Sequence, residues 1–160
     1  RGFAEPSVED LRDAAGVSLR TLYKYTPSRA EMVLAALENR QQRYLALVFD
    51  DLPQAPADAL EAILARVGRW METETSHGCL FHAAVAADPG SDSLRALLTR
   101  HKAEVAAKAA AATNLAGAET ALLLIIEGLT QTWPLRGAEA VTAAQRLARA
   151  MAEDMLRTLA

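Results

Sequence analysis

Between two short runs of helix-forming residues lies Ala15-Gly16-Val17-Ser18, and no other stretch limits the fold of this chain so tightly. Gly16 permits the left-handed backbone that ends a helix, and Ser18 can cap the start of another. So short a connection makes a sharp turn, and the two helices must cross as a helix-turn-helix. The first helix is expected to start from a cap at Ser7, answered by Asp10 as in a capping box, with Glu9 and Asp10 at the positive end of its dipole. Leu11, Ala14 and Ala15 form its apolar strip, and Val17 fills the corner beneath the turn. The second runs only to about Tyr25 and turns Leu22 inward. Pro27 ends it, and Ser28-Arg29-Ala30-Glu31 is a complete S-x-x-E capping box for a third helix. That helix runs to about Val48, with Met32, Leu37, Tyr44 and Leu47 on one side.

Asp50 to Pro56 is the clearest linker signal in the chain, and every later segment is helical. Asp58 to Glu74 carries Leu60, Ile63, Leu64, Val67 and Met71 at helical spacing. A short helix over Gly78 to Ala87 follows. The next starts at Ser91 or Ser93, places Leu94, Leu97, Leu98, His101 and Val105 on one face, and ends near Thr113, before a break over Asn114 to Gly117. Alanine and leucine dominate and period-two alternation is absent, so the expected fold class is all-α. The last two segments, Ala118 to Trp133 and Ala138 to Leu159, differ from the rest. Ala121 to Ile126 is apolar all round its helix, which requires cover on two sides. Ala140, Ala144, Ala148 and Ala152 form a line of small residues, flanked by Val141, Leu147, Met151 and Met155. These two helices read as half of a four-helix bundle completed by a second copy, a homodimer.

Net charge is −3 over 160 residues, but its distribution is uneven. From Gly16 to Arg29 the charged residues are Arg20, Lys24 and Arg29, all basic, while the chain after Leu47 has an acidic excess. Positive charge thus gathers where a phosphate backbone would be met. A short helix entering a major groove offers its first residues to base edges, here Leu19, Arg20 and Thr21. Arg20 suits guanine O6 and N7, and Leu19, pointing outward, suits a thymine methyl. Tyr23, Lys24 and Arg29 are placed for phosphates.

Asp13-Ala14-Ala15-Gly16-Val17-Ser18, Thr21-Leu22-Tyr23 and Pro27-Ser28-Arg29 together resemble the TetR-type transcriptional regulators. Gly78-Cys79-Leu80 and Glu127-Gly128-Leu129 are similar to phrases in the equivalent helices of that family. The resemblance implies a homodimeric repressor whose body holds a small-molecule pocket. It also implies a further helix ahead of Ser7, consistent with a chain that opens on Arg1 and Gly2-Phe3-Ala4 like the end of an earlier helix. Where the family has an aromatic this chain has Thr26, so packing behind the short helix is expected to rest on Tyr25.

The expected division is a DNA-binding domain over residues 1–47 and a ligand-binding and dimerisation domain over residues 48–160. Effector contacts are expected from Trp70, Phe81, His101, Gln131 and Trp133, large apolar walls with a few polar groups. The packing alternative, in which Trp70 and Phe81 serve the core, stands beside it. No cofactor or metal is expected: His77, Cys79 and His82 lack a convincing fourth ligand, and Cys79 has no basic sequence neighbour besides those histidines. There is no G-x-S-x-G elbow, phosphate-cradling glycine loop or H-E-x-x-H, so no enzyme is expected. Cys79 is the sole cysteine and the apolar runs are too short to span a bilayer, which suggests a cytoplasmic protein. The functional expectation is a ligand-responsive dimeric repressor on an operator. The alternative is a helical dimeric sensing or protein-interaction module that does not read DNA.

Overall fold

The computed structural model describes residues 8–74 and 78–159. Among these residues eight helices follow one another: α1 (Val8–Ala15), α2 (Leu19–Tyr25), α3 (Arg29–Phe49), α4 (Pro56–Thr73), α5 (Leu80–Ala87), α6 (Asp92–Thr113), α7 (Glu119–Arg136) and α8 (Ala138–Leu159). The fold is all-α, with no strand among the described residues. No helix among them is long and apolar enough to cross a membrane.

The turn between α1 and α2 forms as its residues dictate. Gly16 has φ 65°, its amide donates to Asp13 O at 3.2 Å, and Val17 N donates to Arg12 O at 3.4 Å. This paired closure is the Schellman motif, which satisfies carbonyls that a helix end leaves open. Ser18 Oγ then accepts from Thr21 N at 3.1 Å, and Ser28 Oγ accepts from Glu31 N at 3.2 Å, so both caps form. The expected cap at Ser7 and the side chains of Leu11, Ala14 and Ala15 lie outside the described residues. Val17 does not fill a corner: it is 38% exposed, and Leu22 is half-buried.

Three boundaries differ from expectation. Helix α4 opens at Pro56, because proline's fixed φ suits a first helical turn whose amides are unbonded anyway. Helix α5 opens at Leu80 rather than Gly78, whose φ of 88° is not helical. Helix α7 continues through Pro134 to Arg136. So near the end, the missing amide leaves one carbonyl without its usual donor, and Gly137 N still closes the helix on Trp133 O at 2.8 Å.

The chain forms two compact units, one of residues 1–42 and 80–99 and the other of residues 43–79 and 100–160. In the first, Met32 and Leu37 of α3, Phe81 and Ala84 of α5, and Leu94 and Leu97 of α6 are buried. In the second, α4, α7 and α8 pack on one another around Leu60, Ile63, Leu64, Val67, Leu122 and Ile126. The alanine line of α8 serves this unit: Ala140, Ala144 and Ala148 are buried in the same cluster. Gly68 marks the tightest approach. A Cβ there would stand 2.5 Å from Val141 Cγ2 and 3.3 Å from Trp133 Cζ3.

The expected linker after α3 is a pinned corner. Arg66 of α4 donates through Nη1 to Asp50 O and through Nη2 to Asp51 O at 3.0 Å, and Asp51 takes φ 51°. At the other end of the unit, Asn114 (φ 53°) ends α6 in a second Schellman closure, with Leu115 N donating to Ala110 O at 3.1 Å.

Gly68→Ala tests the close approach. Helix propensity favours alanine by about 1 kcal/mol, whereas overpacking costs about 1–3 kcal/mol. A Cβ at 2.5 Å from Val141 makes overpacking win, so the variant should unfold at lower denaturant. A midpoint raised above that of the parent would contradict the packing.

Candidate nucleic-acid interface and buried polar cluster

Helix α2 has no buried residue. Arg20, Thr21, Tyr23 and Lys24 are exposed on it, Leu19 is half-buried, and Arg29 is exposed at the start of α3. The helix contains no acidic residue, so its exposed charges are the cations Arg20 and Lys24. Thr21 has a local duty as well: its Oγ1 lies 2.9 Å from Ser18 Oγ, within the cap of the same helix.

Tyr25 corrects the expectation from the sequence. It is 75% exposed and packs behind nothing. Thr26 closes the helix unaided: its amide donates to Leu22 O at 3.0 Å and its hydroxyl to the same carbonyl at 2.9 Å. Lys24 Nζ instead sits 5.5 Å from the Tyr25 ring centroid, a cation–π contact on the same exposed surface. The expectation rested on Thr26 standing where the resembled family has an aromatic, and Tyr25 does not take over that packing.

In the unit of residues 43–79 and 100–160, polar side chains gather at the apolar packing, from buried Tyr44 and His101 out to exposed Arg43. Tyr44 of α3 is buried, with Trp70 of α4 edge-on at 5.4 Å between ring centroids and His101 of α6 at 5.6 Å. Arg43 lies over the Trp70 ring and pairs with Glu74 at 2.5 Å. Lys102, the residue after His101, donates to Glu127 Oε1 of α7 at 2.6 Å and contacts Cys79 Sγ at 3.3 Å. Burial pushes the Tyr44 phenol above its ordinary 10.0, and the negative charge of Glu127 and then of Cys79 pushes it the same way.

Of the five expected effector contacts, Trp70 and His101 meet around Tyr44. Gln131 is exposed, with its Oε1 where a Cβ on Gly78 would stand 2.9 Å away. Trp133 lies against α4 at Gly68, and Phe81 is buried within the other compact unit. Tyr44, Lys102 and Glu127 were not picked out as site residues from sequence. Lys102 and Glu127 stand on separate helices, and no spacing pattern reports such a pair.

A third feature lies on α7 and α8. Leu122, Ile126 and Leu129 face the core, whereas Leu124 is 69% exposed, and Leu147 of α8 is 62% exposed. The two leucines rim a shallow groove of about 320 Å³ with Ile125, Gly128, Thr132 and Ala143. The helix that is apolar all round therefore has one covered side and one open side.

No protein-family model matches the sequence, and no curated protein does. Two solved structures share its fold. One, from Streptomyces coelicolor, is a TetR-family transcriptional regulator: 20% identity, TM-score 0.73, with 96% of this chain and 88% of that one covered. The other, from Streptomyces avermitilis and assigned as a TetR-type transcriptional regulator, has 21% identity and TM-score 0.70, covering 92% of this chain and 90% of that one. The likeness extends over nearly the whole chain and establishes the fold.

Tyr44 yields a pH test. The unfolded chain ionises this phenol near 10.0, while burial keeps it protonated to higher pH in the fold. The unfolded state therefore loses its proton first, and stability falls as pH rises beyond about 10. Tyr44→Phe should lessen that fall, measured as the denaturation midpoint at about pH 8 and about pH 11. An undiminished alkaline loss in the variant would contradict the burial assigned to the phenol.

Proposed function

We propose that this chain is a dimeric transcriptional regulator, a repressor that binds double-stranded operator DNA and is released by a small molecule. The observation that carries the reading is α2. It is a short helix behind a sharp turn, buries no residue and presents Arg20, Tyr23, Lys24 and Tyr25 outward. Such a helix gives the folded chain no fully buried residue, whereas a major groove accepts one. The shared fold with two structures described as TetR-type regulators supports the same reading.

In this account residues 1–47 form the DNA-binding part and residues 48–160 the regulatory body. Leu19, Arg20 and Thr21 meet bases, and Tyr23, Lys24 and Arg29 meet phosphates, with Tyr25 added beside Lys24. A two-fold dimer through α7 and α8 covers Leu124 and Leu147, the open side of an otherwise buried helix. Pairing is required because two recognition helices must enter successive major grooves about 34–36 Å apart. An effector held near Trp70 and His101, with Gln131 and Trp133 as further contacts in the same unit, would favour another spacing and lower affinity without touching DNA. The work is done by binding, with no chemical step, in the cytoplasm where the operator is.

The test is fluorescence anisotropy with duplexes from the gene's own upstream region, titrated with salt. Affinity should fall steeply with salt, as counterions return to the phosphates. Arg29→Ala and Tyr23→Ala should weaken binding to every duplex, while Arg20→Ala should relax preference at one base pair by about 1–3 kcal/mol. Absence of salt-dependent binding would leave a sensing or interaction module that does not read DNA.

Dimerisation is checked separately. Leu124→Glu combined with Leu147→Glu should give a folded monomer by analytical ultracentrifugation, and a dimer that persists would place the interface elsewhere.

A further inference from the structure

We infer that Cys79 and Lys102 form an oxidant-closed covalent switch, in which a hydroperoxide converts the thiol and amine into a sulfur–nitrogen crosslink. Lys102 Nζ lies 3.3 Å from Cys79 Sγ, so nucleophile and sulfur are already in contact. The third participant is also in place: Glu127 Oε1 is 2.6 Å from the same Nζ and can take the proton the amine must lose. Side-chain exposure of Lys102 and Glu127 is only 13% and 21%, which holds the amine near the sulfur. Cys79 is half-buried, open enough for a small oxidant. The chain has no second cysteine, so an oxidised Cys79 finds no thiol within its own chain, and the amine in contact with it is the available trap.

The chemistry balances in two steps. In the first, the sulfur attacks hydrogen peroxide: the O–O bond breaks, an S–O bond forms, and the thiol becomes a sulfenic acid with release of one water. Sulfur is oxidised by two electrons and the peroxide is reduced. In the second, Lys102 passes a proton to Glu127, and the neutral amine attacks the sulfenyl sulfur. An S–N bond forms, the S–O bond breaks, and hydroxide leaves with one of the two remaining amine protons as a second water, the other staying on the sulfenamide nitrogen. The starting ammonium–carboxylate pair and the final sulfenamide with a protonated carboxyl have the same net charge. A small thiol reverses the link by attacking the sulfur and expelling the amine, and a second thiol then resolves the mixed disulfide.

Closure has a structural consequence. The ammonium that pairs α6 with α7 is consumed, and Cys79, immediately ahead of α5, becomes tied to α6. Oxidation thus alters helix–helix contacts in the body through chemistry that does not depend on the DNA-binding reading.

Mass spectrometry of the intact-chain protein tests the switch. After treatment with hydrogen peroxide and quenching by catalase, tryptic digestion should release the Cys79 peptide joined to the Lys102 peptide, lighter than their sum by two hydrogens. Dithiothreitol should separate them. Lys102→Arg keeps the cation beside Glu127 but removes the amine, and should give no joined pair while circular dichroism shows an unchanged helical fold. Its Cys79 should then be trapped by dimedone as the free sulfenic acid. Glu127→Gln should slow closure at least several-fold. The inference is overturned if the parent protein shows only dimedone-reactive or over-oxidised Cys79 without a joined peptide. It is overturned equally if the joined pair is heavier by one oxygen, or persists in Lys102→Arg.

Discussion

The approach of α4 to α7 and α8 at Gly68 is the contact on which the body depends. Without a side chain at that position, Val141 and Trp133 come within reach of the α4 backbone itself. The alanine line of α8 extends this closeness along the helix, since small side chains let axes draw together. Close axes leave no space for water, and the apolar residues around them are sealed on one side. What remains unsealed is the opposite side of α7 and α8, where leucines stand in solvent. The close approach at Gly68 thus lies on the covered side of these helices, and Leu124 and Leu147 lie on the open one.

Polar interactions are arranged around that packing. Arg66 donates to the backbone carbonyls of Asp50 and Asp51 just after α3 and so ties that corner to α4. Deeper, Lys102 and Glu127 form a largely enclosed pair beside Tyr44, and Cys79 shares the cation. Removing either member of such a pair is costlier than the pair's own net contribution, because a charge is left where solvent reaches poorly. The body is therefore sensitive at α6 and α7 to any change that alters one charge of the pair.

Helix α2 obeys the opposite logic. Its stability comes from the glycine turn before it, the Ser18 cap and the Thr26 closure, each a local bond. Because local bonds hold it, most of its side chains are spared from packing and stand outward. This is why the turn and both caps were legible from residues alone, while the place of Tyr25 was not. Tyr25 stands 75% exposed, and whether an aromatic is covered depends on what the folded helix packs against rather than on residue type.

What the sequence determined by itself is whatever rests on neighbours along the chain. The helical period, the Gly16 turn, the Ser18 and Ser28 caps, the break at Asn114 and the unusual apolar girth of α7 all follow from spacing and backbone preference. Tertiary structure alone decided which side of α8's alanine line is covered and turned the expected linker after α3 into a corner clasped by Arg66. It also brought Lys102 to Cys79 and Glu127. The reason is physical: caps and turns are short-range bonds whose partners lie within a few residues. Charge pairing and close packing, by contrast, join residues that meet only after the helices have docked.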